Sequence, residues 1–335
     1  MDMNKKIKAT GQALLAACLY ALNIPLSKVF LQAAGPMTMA GFLYLGAGLG
    51  IGFLYLVYDK NKEDLLSRED LPYTLGMVVL DILAPIFLMM GLVWTSSANA
   101  SLLNNFEIVA TSVIAWILFG EKISGLLGLA IILMTLASGI LSFEGAQSLE
   151  FSKGSILVLL AGLSWGFENN CTRKIAHKNT FEIVMIKGIF SGLGSIAIAL
   201  VAGETLPDLS NLCKIMVLGF LAYGLSIFFY IRAQEVIGAA KTSAWYSVAP
   251  FVAVLLSVVF LKEGLSWKFL LALSIMVLAS ILVVADTLKK AHDHSHSHVI
   301  YSYSHGHIIK KTLVHSHSHQ HYLGGGYHDH LHKKR

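Results

Sequence analysis

Charge is what this sequence has least of. Only 13% of its 335 residues are Asp, Glu, Lys or Arg, while 55% are hydrophobic; a soluble domain carries roughly 25% charged residues. With so few charges the chain cannot keep its apolar surface in water, and the class of soluble globular proteins is excluded. Cysteine is nearly missing too. Cys18, Cys171 and Cys213 are an odd number and lie in or beside apolar runs, which excludes a disulfide framework. No nucleophile–base set and no phosphate-binding loop occurs, so nothing points to an enzyme. The net charge of +5 is spread over loops and tail without a basic patch, and nucleic acid is not an expected partner.

What remains is apolar runs of about 20 residues, long enough to cross a bilayer. Such segments must satisfy their own backbone hydrogen bonds and are therefore helical. Ten are expected, at residues 11–31, 37–58, 71–93, 97–119, 124–143, 154–174, 180–202, 212–235, 239–261 and 266–288. From 289 onward the composition turns polar, and a disordered tail is expected.

The stretch Ala98 to Glu144 recurs 142 positions later without a gap. Ala98, Ser101, Glu121, Ser124 and Met134 fall on Ala240, Ser243, Glu263, Ser266 and Met276, and Glu144 falls on Asp286. Matches of Leu and Ala between apolar helices come cheaply from composition. Matches of Glu and Ser at the turn between two runs do not, so the chain reads as two copies of a five-helix unit, 1–145 and 150–288. Five is odd, so the two copies must lie in opposite orientations, an inverted pair about a pseudo-two-fold axis in the membrane plane.

Short loops give the orientation, because Lys and Arg stay on the cytoplasmic side. With the N-terminus inside, the inner segments hold Lys5, Lys6, Lys8, Lys60, Lys62, Arg68, Lys122, Arg173, Lys174, Lys178, Arg232 and Lys241. The outer ones hold only Lys28, Lys153, Lys214, Lys262 and Lys268. Both termini are expected in the cytoplasm and the protein in the plasma membrane. Gly46, Gly48, Gly50 and Gly52 in the second run and Gly188 and Gly192 in the seventh form small-xxx-small patterns, read as packing faces.

The pattern resembles the drug/metabolite transporter superfamily, in particular its EamA-type members. The likeness rests on Tyr20-Ala21 followed by Pro25-Leu26-Ser27-Lys28, and on their counterparts Trp165-Gly166 and Thr172-Arg173. It rests also on Phe119-Gly120-Glu121 and Leu261-Lys262-Glu263, and on Ala137-Ser138 and Ala279-Ser280 near the ends of the fifth and tenth runs. The resemblance covers 1–288 and implies secondary transport, often export, of small metabolites, without naming the substrate.

Polar side chains at mid-membrane depth are costly, so each is a candidate for the transport path. The substrate-cavity candidates are Asn23, Asp81, Asn104, Asn105, Glu107, Trp165, Glu168, Asn169, Lys187 and Tyr246. Several have a structural alternative. Glu107 either pairs with Lys187 or with amides and holds the bundle, or lines a cavity and exchanges a proton; Asp81 stands between the same two roles. Glu168 either pairs with Arg173 or meets substrate. Asn104 and Asn105 are consecutive, about 100° apart on a helix, so only one faces a cavity squarely. Tyr20, Trp94, Tyr223, Tyr230 and Trp245 read as anchors or packing, and Glu121 and Glu263 as helix terminators at the membrane surface. Pro25, Pro85 and Pro250 interrupt three runs and free carbonyls that a cavity can use.

Thirteen of the 14 histidines crowd the tail: His292, His294, His296, His298, His305, His307, His315, His317, His319, His321, His328, His330 and His332. Neutral imidazole binds Zn²⁺ and other divalent transition metals, and alternate residues of an extended chain share a face. His177 lies in a loop, so no run carries a histidine. Three readings follow. The chain exports a small metabolite such as an amino acid, requires no cofactor and carries a metal-binding tail. Or it moves a divalent metal that the tail supplies. Or it senses metal without transport. The expected partners are the lipid bilayer and a small solute, and the expected state is a monomer or homodimer.

Overall fold

A computed structural model of the chain describes residues 3–58, 64–120, 123–143, 152–175, 178–237, 242, 245–290, 293–304 and 307–318. Up to 290 the described elements are helices. In order they are α1 (Met3–Ala21), α2 (Asn23–Phe30), α3 (Pro36–Tyr58), a 3₁₀ turn (Arg68–Asp70), α4 (Leu71–Trp94), α5 (Ser97–Leu103), α6 (Phe106–Phe119), α7 (Gly125–Ser142) and α8 (Lys153–Ile175). Then come α9 (Thr180–Val201), α10 (Leu209–Gly219), a π-helical segment (Phe220–Leu225), α11 (Ser226–Ile237), α12 (Ala249–Leu261) and α13 (Trp267–Lys290).

Among the described residues, eight helical stretches are long and apolar enough to cross a membrane. The two other expected spans also fall on helices: α8, which carries several charged residues, and α12, an apolar helix of 13 residues. Large apolar side chains such as Phe53, Leu56, Ile117, Phe190, Phe260 and Ile281 are exposed on the outside of the bundle. In water that surface is untenable; against lipid tails it is the expected one. The protein is a multi-pass membrane protein.

Helix contacts carry the repeat into three dimensions. The second span packs on the seventh (α3 on α9), the fifth on the tenth (α7 on α13) and the fourth on the ninth (α5 on α12). In each pair a helix meets its own counterpart from the other half. The contact of α4 with α8, spans three and six, is answered by that of α11 with α1, spans eight and one. A two-fold relation generates this pairing.

The α3–α9 crossing shows why the glycines are there. A Cβ on Gly188 would strike the Gly48 backbone, and one on Gly48 would lie 2.5 Å from Ile189 N and 2.7 Å from Gly188 C. The two helices touch backbone to backbone, which only residues without a side chain allow.

Three spans are interrupted rather than continuous. The first breaks at Leu22, between α1 and α2. The fourth breaks at Asn104–Asn105, between α5 and α6. The ninth breaks at Ser247–Val248, just before α12. The last two breaks fall at almost the same place in the repeat. Pro25 and Pro250 follow two of the breaks and lack the amide that would close the next turn.

The tail departs from expectation. Residues 293–304 and 307–318 form an antiparallel hairpin (β1 and β2), in which His294 is registered with His317 and His296 with His315. Val299, Ile300, Tyr301, Tyr303, Ile308, Ile309, Thr312 and Val314 give these segments the β-branched and aromatic content of strands, which the polar overall composition hides. His292, His305, His319, His321, His328, His330 and His332 lie outside the described residues, as do Glu121 and Glu144.

Candidate functional site

Several of the polar candidates meet in a buried cluster between the halves, and its centre is an ion triad. Asp81, fully buried on α4, places Oδ2 3.1 Å from Lys187 Nζ on α9, and the same ammonium lies 2.8 Å from Glu168 Oε1 on α8. Tyr44 of α3 donates its hydroxyl to Asp81 Oδ1 at 3.0 Å, and Trp165 Nε1 donates to the Tyr44 oxygen at 3.2 Å. Thr172 donates to Glu168 one turn along α8. Four helices are thus tied to one buried cluster.

The location follows from local sequence. Asp81 lies four residues before Pro85, and a proline four residues on cannot hydrogen-bond the Asp81 carbonyl. Tyr44 reaches the cluster because the glycines after it bring α3 close against α9. Sequence reading assigned Asp81, Trp165, Glu168 and Lys187 to the cavity, and the structure joins them. The pairing of Glu168 with Arg173 is corrected: its ion-pair partner is Lys187, which approaches from another helix. Of the two partners that the sequence offered Glu107, Lys187 or amides, the structure shows an amide. Lys187 is taken by two other carboxylates, and Glu107 Oε1 instead accepts from Asn169 Nδ2 at 2.7 Å.

Beside the triad lies an aromatic wall. Tyr223, from the π-helical segment, packs on Tyr44 (centroids 5.1 Å apart) and edge-on to Tyr20 (5.9 Å); Tyr20 packs on Tyr246 (5.7 Å), and Tyr246 on Tyr230 (5.1 Å). Asn23 Nδ2 donates to the Tyr223 hydroxyl at 2.8 Å and Asn104 Nδ2 to the Tyr20 hydroxyl at 3.2 Å, while Tyr246 and Ser226 share a hydrogen bond of 3.2 Å. Tyr20, Tyr44 and Tyr223 were not among the polar candidates of the sequence reading; Tyr20 and Tyr223 read as anchors, and Tyr44 stood in a glycine-rich packing run. The available signal was the repeat, since Tyr223 stands 142 positions after Asp81, the same offset that relates Tyr246 to Asn104.

The helix breaks adjoin a small pocket lined by Tyr20, Ala21, Ile24, Ser101, Asn104, Ala249, Pro250 and Ala253. Asn104 Oδ1 and Asn105 Nδ2 are buried without a hydrogen-bond partner, and such atoms are costly unless something pairs with them. A larger cleft is lined by residues including Ile51, Thr180, Phe181, Phe228 and Arg232.

At the opposite ends of the helices, carboxylates and an ammonium hold helix termini. Glu263, at the turn after α12, accepts from the backbone amides of Ser97 and Ala98, both at 2.7 Å, and so caps α5 of the other half. Ser97 and Ser257 hydroxyls bond across the same joint at 2.8 Å. Glu204 accepts from Met37 N and Thr38 N at 3.2 and 2.8 Å, capping α3. Lys28 donates to the Leu92 and Thr95 carbonyls at the end of α4, at 2.5 and 2.9 Å. Glu263 is thus more than a terminator of its own helix: it joins the two repeats. Replacing it with Ala strips two amides of a charged acceptor, worth about 1.5–3 kcal/mol each. In a background lacking Cys18, Cys171 and Cys213, Glu263→Ala is expected to speed maleimide labelling of Ser257→Cys at least about tenfold, the factor for 1.4 kcal/mol. An unchanged rate would show that the joint does not depend on Glu263.

Comparison with known proteins places this architecture. The chain is 24% identical to an uncharacterized transporter of Methanothermobacter thermautotrophicus over 75% of its own length and 78% of the relative's. It is 25% identical to the uncharacterized transporter YvbV of Bacillus subtilis, over 86% and 95% of the two chains, and 28% identical to YcxC of the same organism, over 77% and 88%. A solved crystal structure shares the fold with a TM-score of 0.60 at 14% identity, covering 87% of this chain and 99% of that one. The EamA-like transporter family profile matches twice, at residues 8–143 and 152–285. On that double match, which takes in both repeats, the chain belongs to the EamA-like transporter family of membrane proteins.

Proposed function

We propose that the protein is a ten-span secondary transporter of the plasma membrane, with both termini cytoplasmic, that exports a small metabolite such as an amino acid by alternating access. The observation that carries this reading is that three helix breaks around one pocket and a buried ion triad lie between the repeats, linked through Tyr20, Tyr223 and Tyr44, in the region where inverted-repeat transporters hold their substrates. The N-termini of α6 and α12 begin at two of the breaks, and helix N-termini favour a carboxylate. Glu107 faces no cation within ion-pair distance among the described residues and suits a substrate ammonium. Together they match the two charges of an amino acid.

The lysine and arginine count puts the Glu263, Glu204 and Lys28 contacts at the outer face and the larger cleft, with Thr180 and Arg232, toward the inner one. This conformer then corresponds to closed outside and accessible from the cytoplasm, the loading state of an exporter. Metabolite profiling of medium from cells with and without the protein, followed by flux in proteoliposomes, is the test. One or more solutes are expected to be depleted from the medium on deletion, and Glu107→Gln to raise KM about tenfold or more, the loss of one charge-assisted contact. No solute difference and no flux would sink the export reading.

Metal affinity belongs to the tail in this reading. Registration of His294 with His317 and His296 with His315 supports it, since cross-strand neighbours lie about 5 Å apart. Truncation after Lys289 is expected to abolish Zn²⁺ binding by titration calorimetry while organic efflux persists. Loss of metal flux and metal tolerance on truncation would favour the divalent-metal transporter instead.

A further inference from the structure

The charges in the buried cluster do not balance. Asp81 and Glu168 bring two carboxylates to the single ammonium of Lys187, so with all three ionised the triad carries one negative charge. Both carboxylates are almost fully buried, Asp81 at 0% and Glu168 at 2% exposure. Among the described residues, Lys187 is the cation within ion-pair distance of Asp81 and Glu168. Tyr44 of α3 gives Asp81 a neutral donor, Thr172 gives Glu168 another, and Tyr223 is also within electrostatic reach of Asp81. Glu107 of α6, which interacts with both Glu168 and Lys187, adds a further carboxylate. An uncompensated charge in a low-dielectric interior costs several kcal/mol, and a cation must offset it.

We propose that Asp81, Lys187 and Glu168 form a proton-exchange site, holding one proton between the two carboxylates and releasing it during the transport cycle. Loading takes a proton from water on the accessible side and forms one O–H bond on Asp81 or Glu168. The remaining carboxylate and Lys187 then form a neutral pair. Unloading returns the proton to water and restores the negative charge. Lys187 keeps the two carboxylates within reach of one proton, because both contact the same Nζ. The coupling role rests on the transporter reading above; the presence of the proton does not.

Infrared difference spectroscopy of the full-length protein in lipid nanodiscs, titrated from neutral to alkaline pH, tests this without any substrate. The wild type is expected to lose one protonated-carboxyl band as pH rises. Asp81→Asn and Glu168→Gln should each abolish the band, since either leaves one carboxylate with one ammonium. Lys187→Gln should enlarge it, since two carboxylates then share no cation. If one neutral variant is not monodisperse, the other carries the test. Absence of a band in the wild type overturns the proposal. So does a band that survives both neutral variants and disappears only in Glu107→Gln. A band without any solute flux supports the proton site and refutes transport; pH-independent flux without a band refutes the proton site and leaves transport standing.

Discussion

Lys187→Ala is expected to destabilise the protein by about 3–5 kcal/mol, the cost of removing one partner from a buried ion pair, and to abolish transport. Asp81 and Glu168 would lose the ammonium they share at 3.1 and 2.8 Å and remain as two carboxylates facing each other in the bundle. Thermal unfolding in detergent measures the first effect and proteoliposome flux the second. The informative companion is the triple variant Asp81→Asn, Glu168→Gln, Lys187→Met. Neutral residues of similar volume avoid the desolvation penalty of the ions, so stability is expected to return to near the wild-type value while transport stays lost. A triple variant that transports would show that the triad only holds the helices together. A Lys187→Ala protein as stable as the wild type would show that the ion contacts contribute nothing.

The second large effect is at the α3–α9 crossing. Gly188→Leu forces a branched side chain into the backbone of Gly48, where a Cβ already collides. Overpacking costs about 1–3 kcal/mol where a core can shift; here the obstacle is main chain, and loss of the folded, monodisperse protein is expected. Gly52→Ala is the control, because its Cβ would meet only the Met185 side chain, at 3.4 Å, and should change the melting temperature little. Size-exclusion profiles and melting curves of the two variants decide the matter. A well-folded Gly188→Leu protein would mean that the two helices do not cross as described.

Both predictions concern contacts that join the repeats, and legibility in the sequence divides along that line. The apolar runs were readable because lipid imposes one solution on a backbone, a helix of about 20 residues. The breaks in spans one and nine had Pro25 and Pro250 as signals. The break at Asn104–Asn105 had none beyond two consecutive amides, although the span itself, Ser97–Phe119, lies where the sequence placed it. The tail illustrates the reverse case: polar composition argued against regular structure, yet segments that contain β-branched and aromatic residues form a hairpin. Glu263 was legible as a residue at a helix end. That it caps α5 rather than its own helix was not, because the two amides it meets are 165 and 166 positions away.

What the sequence determined by itself is the solvent, the positions of the spans and the existence of two related halves, because each is read from the order of residue types along the chain and needs no knowledge of which side chains touch. Which polar groups meet was decided only by tertiary structure. Lys187 chooses Asp81 and Glu168 over Glu107, and Asn23 finds Tyr223 two hundred residues away, through the rotation of each helix about its axis. That rotation is set by how the glycine faces of α3 and α9 interlock across the inverted pair, and no pattern along a single helix encodes it.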